Sequence, residues 1–288
     1  MALPPALALL RPHQWVKNGL VAAPLFFTPE ILGLQSIISV AITIAAFCAI
    51  SSSVYILNDY KDREADRAHP EKKNRPFAAG TVSPQTGFGL FGILVAGAIT
   101  ALYLLQPQVL PFVGAYWLMN VAYSYGLKKI SLLDVMIIAL GFIIRVEAGA
   151  ASIEVDPSVW IIIMTGLGAL FIALAKRRDD VVNSYASEHR KSLDGYTAQF
   201  LDTAIGIIIA ALLVAYMIYT TDKDVMMRMG STKLYYTAPF VVLGLLRYLQ
   251  ITIVEERSGS PTSVIMRDKV LLVVGALWAL TFGILIYL

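Results

Sequence analysis

Charge is scarce in this chain. Only 15% of its 288 residues are Asp, Glu, Lys or Arg, against about a quarter in aqueous globular proteins, and that shortfall excludes an ordinary water-soluble fold. Cysteine is nearly missing too. Cys48 stands alone inside an apolar stretch, which excludes an intrachain disulfide and leaves a small core or lipid-facing hydrophobe rather than a nucleophile. The formal net charge of +3 is too small to point to a nucleic acid partner. A cleavable leader is not recognisable either: residues 1–10 are apolar but run into Arg11-Pro12-His13-Gln14-Trp15 without a small-residue cleavage site. The N-terminus is therefore expected to stay on as a short interfacial helix.

Apolar residues are what the chain has in abundance. They make up 57% of the sequence, and the mean hydropathy is +0.68, which predicts an all-α polytopic membrane protein. Runs near the roughly twenty residues that cross a bilayer predict about nine spans, at 17–34, 36–57, 84–105, 108–126, 132–151, 158–175, 200–220, 235–253 and 270–287. The first is interrupted by Pro24, Pro29 and Glu30, which predicts a tilted or broken segment. Lys and Arg collect in alternate connections: 61–75, Lys128-Lys129, 176–191 and 257–269. Together with Arg11 and Lys17 these predict a plasma (inner) membrane protein with its N-terminus and both long polar loops in the cytoplasm.

Residues 58–66, directly after the apolar run 41–57, read Asn-Asp-Tyr-Lys-Asp-Arg-Glu-Ala-Asp. If the helix continues, Asn58, Asp62 and Asp66 share one face at i, i+4 and i+8, with Asp59 beside Asp62 at i+3. Like charges so spaced repel unless a cation neutralises them. Hard oxygen donors of this type suit Mg²⁺, which takes one or two carboxylates and fills its other positions with water and phosphate. The alternative is a solvated acidic helix end, partnered by Lys61, Arg63 and Arg67.

The second long loop opens with Lys176-Arg177-Arg178-Asp179-Asp180. Three cations beside two carboxylates suit a highly anionic ligand, with Asp179 or Asp180 able to assist a metal; taken singly, each arginine also reads as a positive-inside anchor. The two loops follow the second and sixth expected spans, so a pseudo-repeat of four-helix units would bring the clusters to face each other. One domain, 1–288, is expected, with loops at about 58–83 and 176–199 forming a cap over a polar cavity at the cytoplasmic side.

Between the spans, residues 67–80 form a basic loop in which Arg75 with Lys72 or Lys73 makes a phosphate clamp, while His69 reads as a loop hydrogen-bonder. Lys17 and Asn18 open the first span, and Tyr123, Ser124, Tyr125 and Lys128 close the fourth, all at the cavity rim. Arg145 and Glu147 are ionisable groups at membrane depth, either a buried pair bracing the helices or part of the pocket. Asp134 reads as a helix-start residue.

Asn58-Asp59-x-x-Asp62-x-x-x-Asp66 followed by Arg75-Pro76-x-Ala78-x-Gly80 resembles the first signature of the UbiA superfamily of intramembrane prenyltransferases. Where that superfamily has a second acidic motif, D-x-x-x-D, this chain has Lys176-Arg177-Arg178-Asp179-Asp180. With Trp15-Val16-Lys17-Asn18, Tyr123-Ser124, Leu133-Asp134-Val135 and the Arg190, Leu193, Tyr196 run, the variant is similar to the decaprenyl-phosphate phosphoribosyltransferase branch. The resemblance implies transfer of 5-phosphoribose from phosphoribosyl pyrophosphate (PRPP) to a polyprenyl phosphate at the bilayer, with no nucleic acid involved and room for a homo-oligomer. It implies Mg²⁺ on Asp62 and Asp66 with Asn58 or Asp59. The pool of phosphate-binding groups is then Lys17, Lys72, Arg75, Lys128, Lys176, Arg177 and Arg178; Asn58, Tyr125, Asp180, Arg190 and Tyr196 are further substrate-binding groups, and Glu147 or a nearby carboxylate would steady charge on the ribose.

Two rivals are weighed against this. An aromatic or tetrapyrrole prenyltransferase would bind a prenyl diphosphate at the first motif, and Lys176 counts against it. A secondary transporter of an anionic solute would carry polar residues through the membrane, whereas here they cluster at one end. A CDP-alcohol phosphotransferase is set aside because its Asp-Gly and Ala-Arg signature is missing around Asp59.

Overall fold

The computed structural model describes residues 4–68, 72–182, 193–256 and 261–287. Twelve α-helices account for most of these, and there is no strand among the described residues: α1 Pro5–Leu9, α2 Ala23–Phe26, α3 Leu34–Ala68, α4 Pro84–Leu105, α5 Leu110–Tyr125, α6 Leu133–Ser152, α7 Val159–Val182, α8 Ala198–Thr221, α9 Lys223–Met229, α10 Ala238–Ile253, α11 Pro261–Arg267 and α12 Lys269–Tyr287. The reason for these bounds is visible locally. Between Gly33 and Pro70 the sequence holds neither glycine nor proline, and α3 runs uninterrupted for 35 residues. Helix α4 starts with Pro84 behind a Ser83 cap that accepts from Thr86 N, and α8 starts behind Thr197, which accepts from Phe200 N.

Among the described residues, seven helical segments are long and apolar enough to cross a membrane: α3, α4, α6, α7, α8, Leu234–Ile253 and α12. Helix α5 has 16 residues, about 24 Å, shorter than a hydrocarbon core of about 30 Å. The first expected span, 17–34, is not a continuous α-helix. Its place is taken by a 3₁₀ segment Pro12–Ala22, the single turn α2, and a second 3₁₀ turn Pro29–Ile31. Prolines at 12, 24 and 29 remove backbone donors along it.

The chain divides into two compact units. The first comprises Met1–Phe26, Ile31–Gly126 and Ile144–Pro157; the second comprises Phe27–Glu30, Leu127–Ile143 and Ser158–Leu288. Lipid tails are as apolar as leucine, so close packing and internal polar bonds carry more of the helix association than apolar burial does. In the first unit Phe47, Ile50, Leu102, Val109 and Ala148 pack together, with Phe47 edge-on to Tyr116 at 5.3 Å. Gly149 is needed there, because a Cβ would strike the backbone carbonyl of Val21. Gln106 joins α4 to α3, accepting from Thr43 Oγ1 at 2.6 Å and donating to Ser39 O at 2.9 Å. In the second unit Phe171, Leu174, Leu201, Ile205 and Tyr248 form the core, and Trp278 Nε1 donates to Tyr216 Oη at 2.7 Å.

Candidate active site

Helix α3 is longer than its membrane-crossing part needs, so its last turns carry the 58–66 stretch beyond the apolar run 41–57. The helix is continuous there. Asn58, Asp62 and Asp66 therefore do lie along one face. Asp59 and Asp66 are buried, at 1% and 3% exposure, while Asn58 and Asp62 are half-buried.

Two arginines from outside the helix converge on these carboxylates. Arg75 Nη1 donates to Asp66 Oδ2 at 2.7 Å and to Asp59 Oδ1 at 3.2 Å. Arg11 Nη2 donates to the same Asp59 Oδ1 at 2.5 Å, and its guanidinium lies 5.2 Å from the Tyr55 ring centre. The loop that presents Arg75 is built for it. A 3₁₀ turn over Lys72–Asn74 leads into buried Pro76, Phe77 and Ala78. Arg67 Nε donates to Ala78 O, and Phe77 packs edge-on to Tyr60 at 5.6 Å. The return is made at Gly80, whose φ of 70° only glycine adopts without strain.

The N-terminal 3₁₀ segment is bonded along α3. Trp15 Nε1 donates to Ser52 Oγ at 3.0 Å, and Ser52 Oγ donates to Leu10 O. Asn18, 1% exposed, donates to Cys48 Sγ and Ser51 Oγ and accepts from Arg145 Nε at 2.9 Å. Arg145 also donates to Tyr116 Oη at 2.9 Å. Lys17, next to Asn18, is half-buried. Close to the acidic stretch, Lys61 Nζ donates to Ser124 O at 2.8 Å and sits 4.0 Å from the Tyr125 ring centre.

Glu147 is elsewhere. It lines a cavity of about 420 Å³ with Gln108, Phe112, Glu154 and Asp156, at the first turn of α5, whereas Lys61 and its neighbours meet the last turn of the same helix. Glu147, expected to steady the reacting ribose, thus lies at the opposite end of α5 from Lys61.

In the second unit the cluster on α7 turns inward. Arg177 Nε donates to Asp134 Oδ2 at 2.6 Å and Nη1 to Asp180 Oδ2 at 2.8 Å. Arg178 Nε donates to Asp202 Oδ1 at 3.0 Å and Nη1 to Thr252 O at 2.9 Å. Tyr196 Oη donates to Asp134 Oδ1 at 2.7 Å and accepts from Leu132 N. Burial, then the bond to Asp134, push the Tyr196 hydroxyl up to about 12. Arg177, Arg178, Asp180 and Tyr196, expected among the substrate-binding groups, thus fasten α6, α7, α8 and α10 to one another. Burying two guanidiniums demands carboxylate partners, and Asp134 and Asp202 supply them. Lys176, Lys72 and Lys128 are half-buried. Arg190 lies outside the described residues, as does His69.

The sequence profile of the UbiA prenyltransferase family matches residues 20–272. The chain belongs to this family. Among its relatives, the decaprenyl-phosphate phosphoribosyltransferase of Mycolicibacterium smegmatis is 31% identical, over 96% of this chain and 91% of the relative. The enzyme of the same description from Corynebacterium glutamicum is 32% identical, over 97% and 86%. A solved UbiA homolog from Archaeoglobus fulgidus, bound to GPP and Mg²⁺, superposes with a TM-score of 0.70 at 16% identity, covering 99% of this chain and 100% of that one. That likeness shows a UbiA-type fold, and the family with its apolar helices makes the chain a multi-pass membrane protein.

Within this UbiA frame the residues present fit a small hard cation. No group of three or more His, Cys, Asp or Glu poised for a metal occurs among the described residues. Asp62 and Asp66 with the amide oxygen of Asn58 nonetheless make the donor set that Mg²⁺ accepts when phosphate and water complete its shell. Buried Asp59 differs from both, since its Oδ1 is taken by two arginines and its Oδ2 has no hydrogen-bond partner. Sequence reasoning did not pair Arg11 with Asp59, Asn18 with Arg145 or Asp134 with Arg177; it placed Asn18 at the cavity rim and read Asp134 as a helix start and part of the resembled Leu133-Asp134-Val135 run. The signal available for Asp134 was a carboxylate preceding a run of apolar residues, within a span that already held Arg145.

Proposed function

We propose that this UbiA-family chain transfers the 5-phosphoribosyl group of PRPP to the phosphate of a polyprenyl phosphate and releases pyrophosphate. The observation that carries the reading is the near end-to-end match to two decaprenyl-phosphate phosphoribosyltransferases, at 31% and 32% identity. Lys176, in the place of the superfamily's second acidic motif, supports it, because PRPP brings both a diphosphate and a 5-phosphate.

Asn58, Asp62 and Asp66 would hold Mg²⁺, which neutralises charge on the diphosphate and helps it leave. Arg75 and Lys72 grip the same diphosphate, Arg75 through its fork and Lys72 as a point charge. Lys17, Lys128 and Lys176 supply further cations for the donor's phosphates. The lipid phosphate is already anionic, so an oxygen of it attacks the anomeric carbon with no strong base required. The bond from that carbon to the diphosphate oxygen breaks as the new one forms, and the centre inverts. The reaction runs on the cytoplasmic side of the plasma membrane, where the basic loops are expected and a water-soluble donor is at hand. The polyprenyl tail stays in the bilayer.

The test is label transfer in detergent-purified protein with Mg²⁺. Ribose label from PRPP should enter the lipid phase only when polyprenyl phosphate is present. Label remaining wholly in the aqueous phase would contradict the reading.

A further inference from the structure

Arg75 stands on a carboxylate that the proposed reaction gives to a metal. Its Nη1 is 2.7 Å from Asp66 Oδ2 and 3.2 Å from Asp59 Oδ1. The two carboxylates differ in what else they hold: Asp59 is also paired with Arg11, while Asp66 lies on the Asn58–Asp62 face. Arg75 is the more open partner, with 26% of its side chain exposed against 4% for Asp66, and it sits on a loop outside α3.

We infer that Arg75 is a displaceable counter-ion: it neutralises Asp66 until a divalent cation arrives, then leaves that oxygen while remaining tethered to Asp59. The inference rests on the reading that Asp66 is a metal ligand. Its physical basis is competition, since two cations on one buried carboxylate repel each other and the divalent ion has the larger charge. Asp59 is then a positioning residue, not a ligand. Fixed by Arg11, it keeps the released guanidinium close to α3, where an incoming diphosphate meets it. Cation binding and donor grip are coupled through this one side chain.

A competing cation and a brace have opposite signatures. If Arg75 merely braced the site, removing it would weaken metal binding; if it competes, removing it tightens metal binding. The experiment titrates the full-length protein in detergent with Mn²⁺ alone, following the free-ion electron paramagnetic resonance signal, for the wild type, Arg75→Ala, Arg75→Lys and Asp66→Asn. Expected are binding by the wild type, loss in Asp66→Asn, about threefold or more tightening in Arg75→Ala, and near-wild-type affinity in Arg75→Lys. Unchanged or weaker binding in Arg75→Ala, with Asp66→Asn still defective, overturns the counter-ion role alone. Unchanged binding in Asp66→Asn overturns the metal assignment, and this inference with it. A measurement on the wild type guards against a variant that fails to fold. Phenylglyoxal modification of Arg75, mapped by peptide mass, should rise with Mn²⁺ while that of Arg11 stays level, and an unchanged Arg75 rate overturns the inference.

Discussion

Arg177 donates to Asp134 at 2.6 Å with both side chains buried, at 3% and 0% exposure. Tyr196 holds the other oxygen of the same carboxylate. Replacing Asp134 by Asn should therefore cost about 3–5 kcal/mol, because it strands a buried guanidinium. Chemical unfolding in detergent checks this. The pair Asp134→Leu with Arg177→Met should be less damaging than the sum of the single changes.

Tyr196 makes the same network sensitive to alkali. Its hydroxyl is raised from 10.0 to about 12 by burial and by the bond to Asp134. A folded-state value above the unfolded one favours the protonated form on folding. The contribution is full below about pH 10 and is lost as pH rises from there towards 12. The stability gap between the wild type and Tyr196→Phe, measured by thermal unfolding, should shrink over that window. A constant gap would count against the assignment.

Gly149 and Gly97 make a matched pair. A Cβ on Gly149 meets the Val21 carbonyl, whereas one on Gly97 meets nothing within 4 Å. Gly149→Ala should destabilise by about 1–3 kcal/mol, since backbone cannot easily give way. Gly97→Ala, inside α4, should be neutral or stabilising by up to about 1 kcal/mol.

Much of this was legible in the sequence, for identifiable reasons. Apolar runs of about twenty residues mark α4, α8 and the start of α3 within two residues. The i, i+4, i+8 spacing of Asn58, Asp62 and Asp66 needed only that α3 continue. Pairing across the chain was not legible. Arg11 and Asp59 are 48 residues apart, and Arg177 and Asp134 are 43 apart; no local periodicity links them. A cation-rich run such as 176–178 looks identical whether its arginines point at a ligand or at buried carboxylates. The N-terminal segment, expected as a tilted or broken span because of Pro24, Pro29 and Glu30, is broken into 3₁₀ and single-turn pieces, and its Asn18 and Trp15 bonds to α3 leave no sequence trace.

In the proposed chemistry, Asp62→Asn and Asp66→Asn should each lower turnover by about two orders of magnitude or more. Both should keep the wild-type fold by circular dichroism. Chelation should abolish wild-type activity, and Mg²⁺ should restore it. Lys176→Asp should weaken the apparent affinity for PRPP in steady-state kinetics; an unchanged value would remove that lysine from donor binding.

The most direct measurement is a one-pot competition. Purified protein with Mg²⁺ receives polyprenyl phosphate and PRPP together with a prenyl diphosphate and an aromatic acceptor, and the lipid products are identified by mass. Phosphoribosyl transfer predicts a polyprenyl phosphate heavier by one phosphoribosyl group and no prenylated aromatic. A prenylated aromatic with PRPP unconsumed would contradict the account and leave the cation at position 176 without a role.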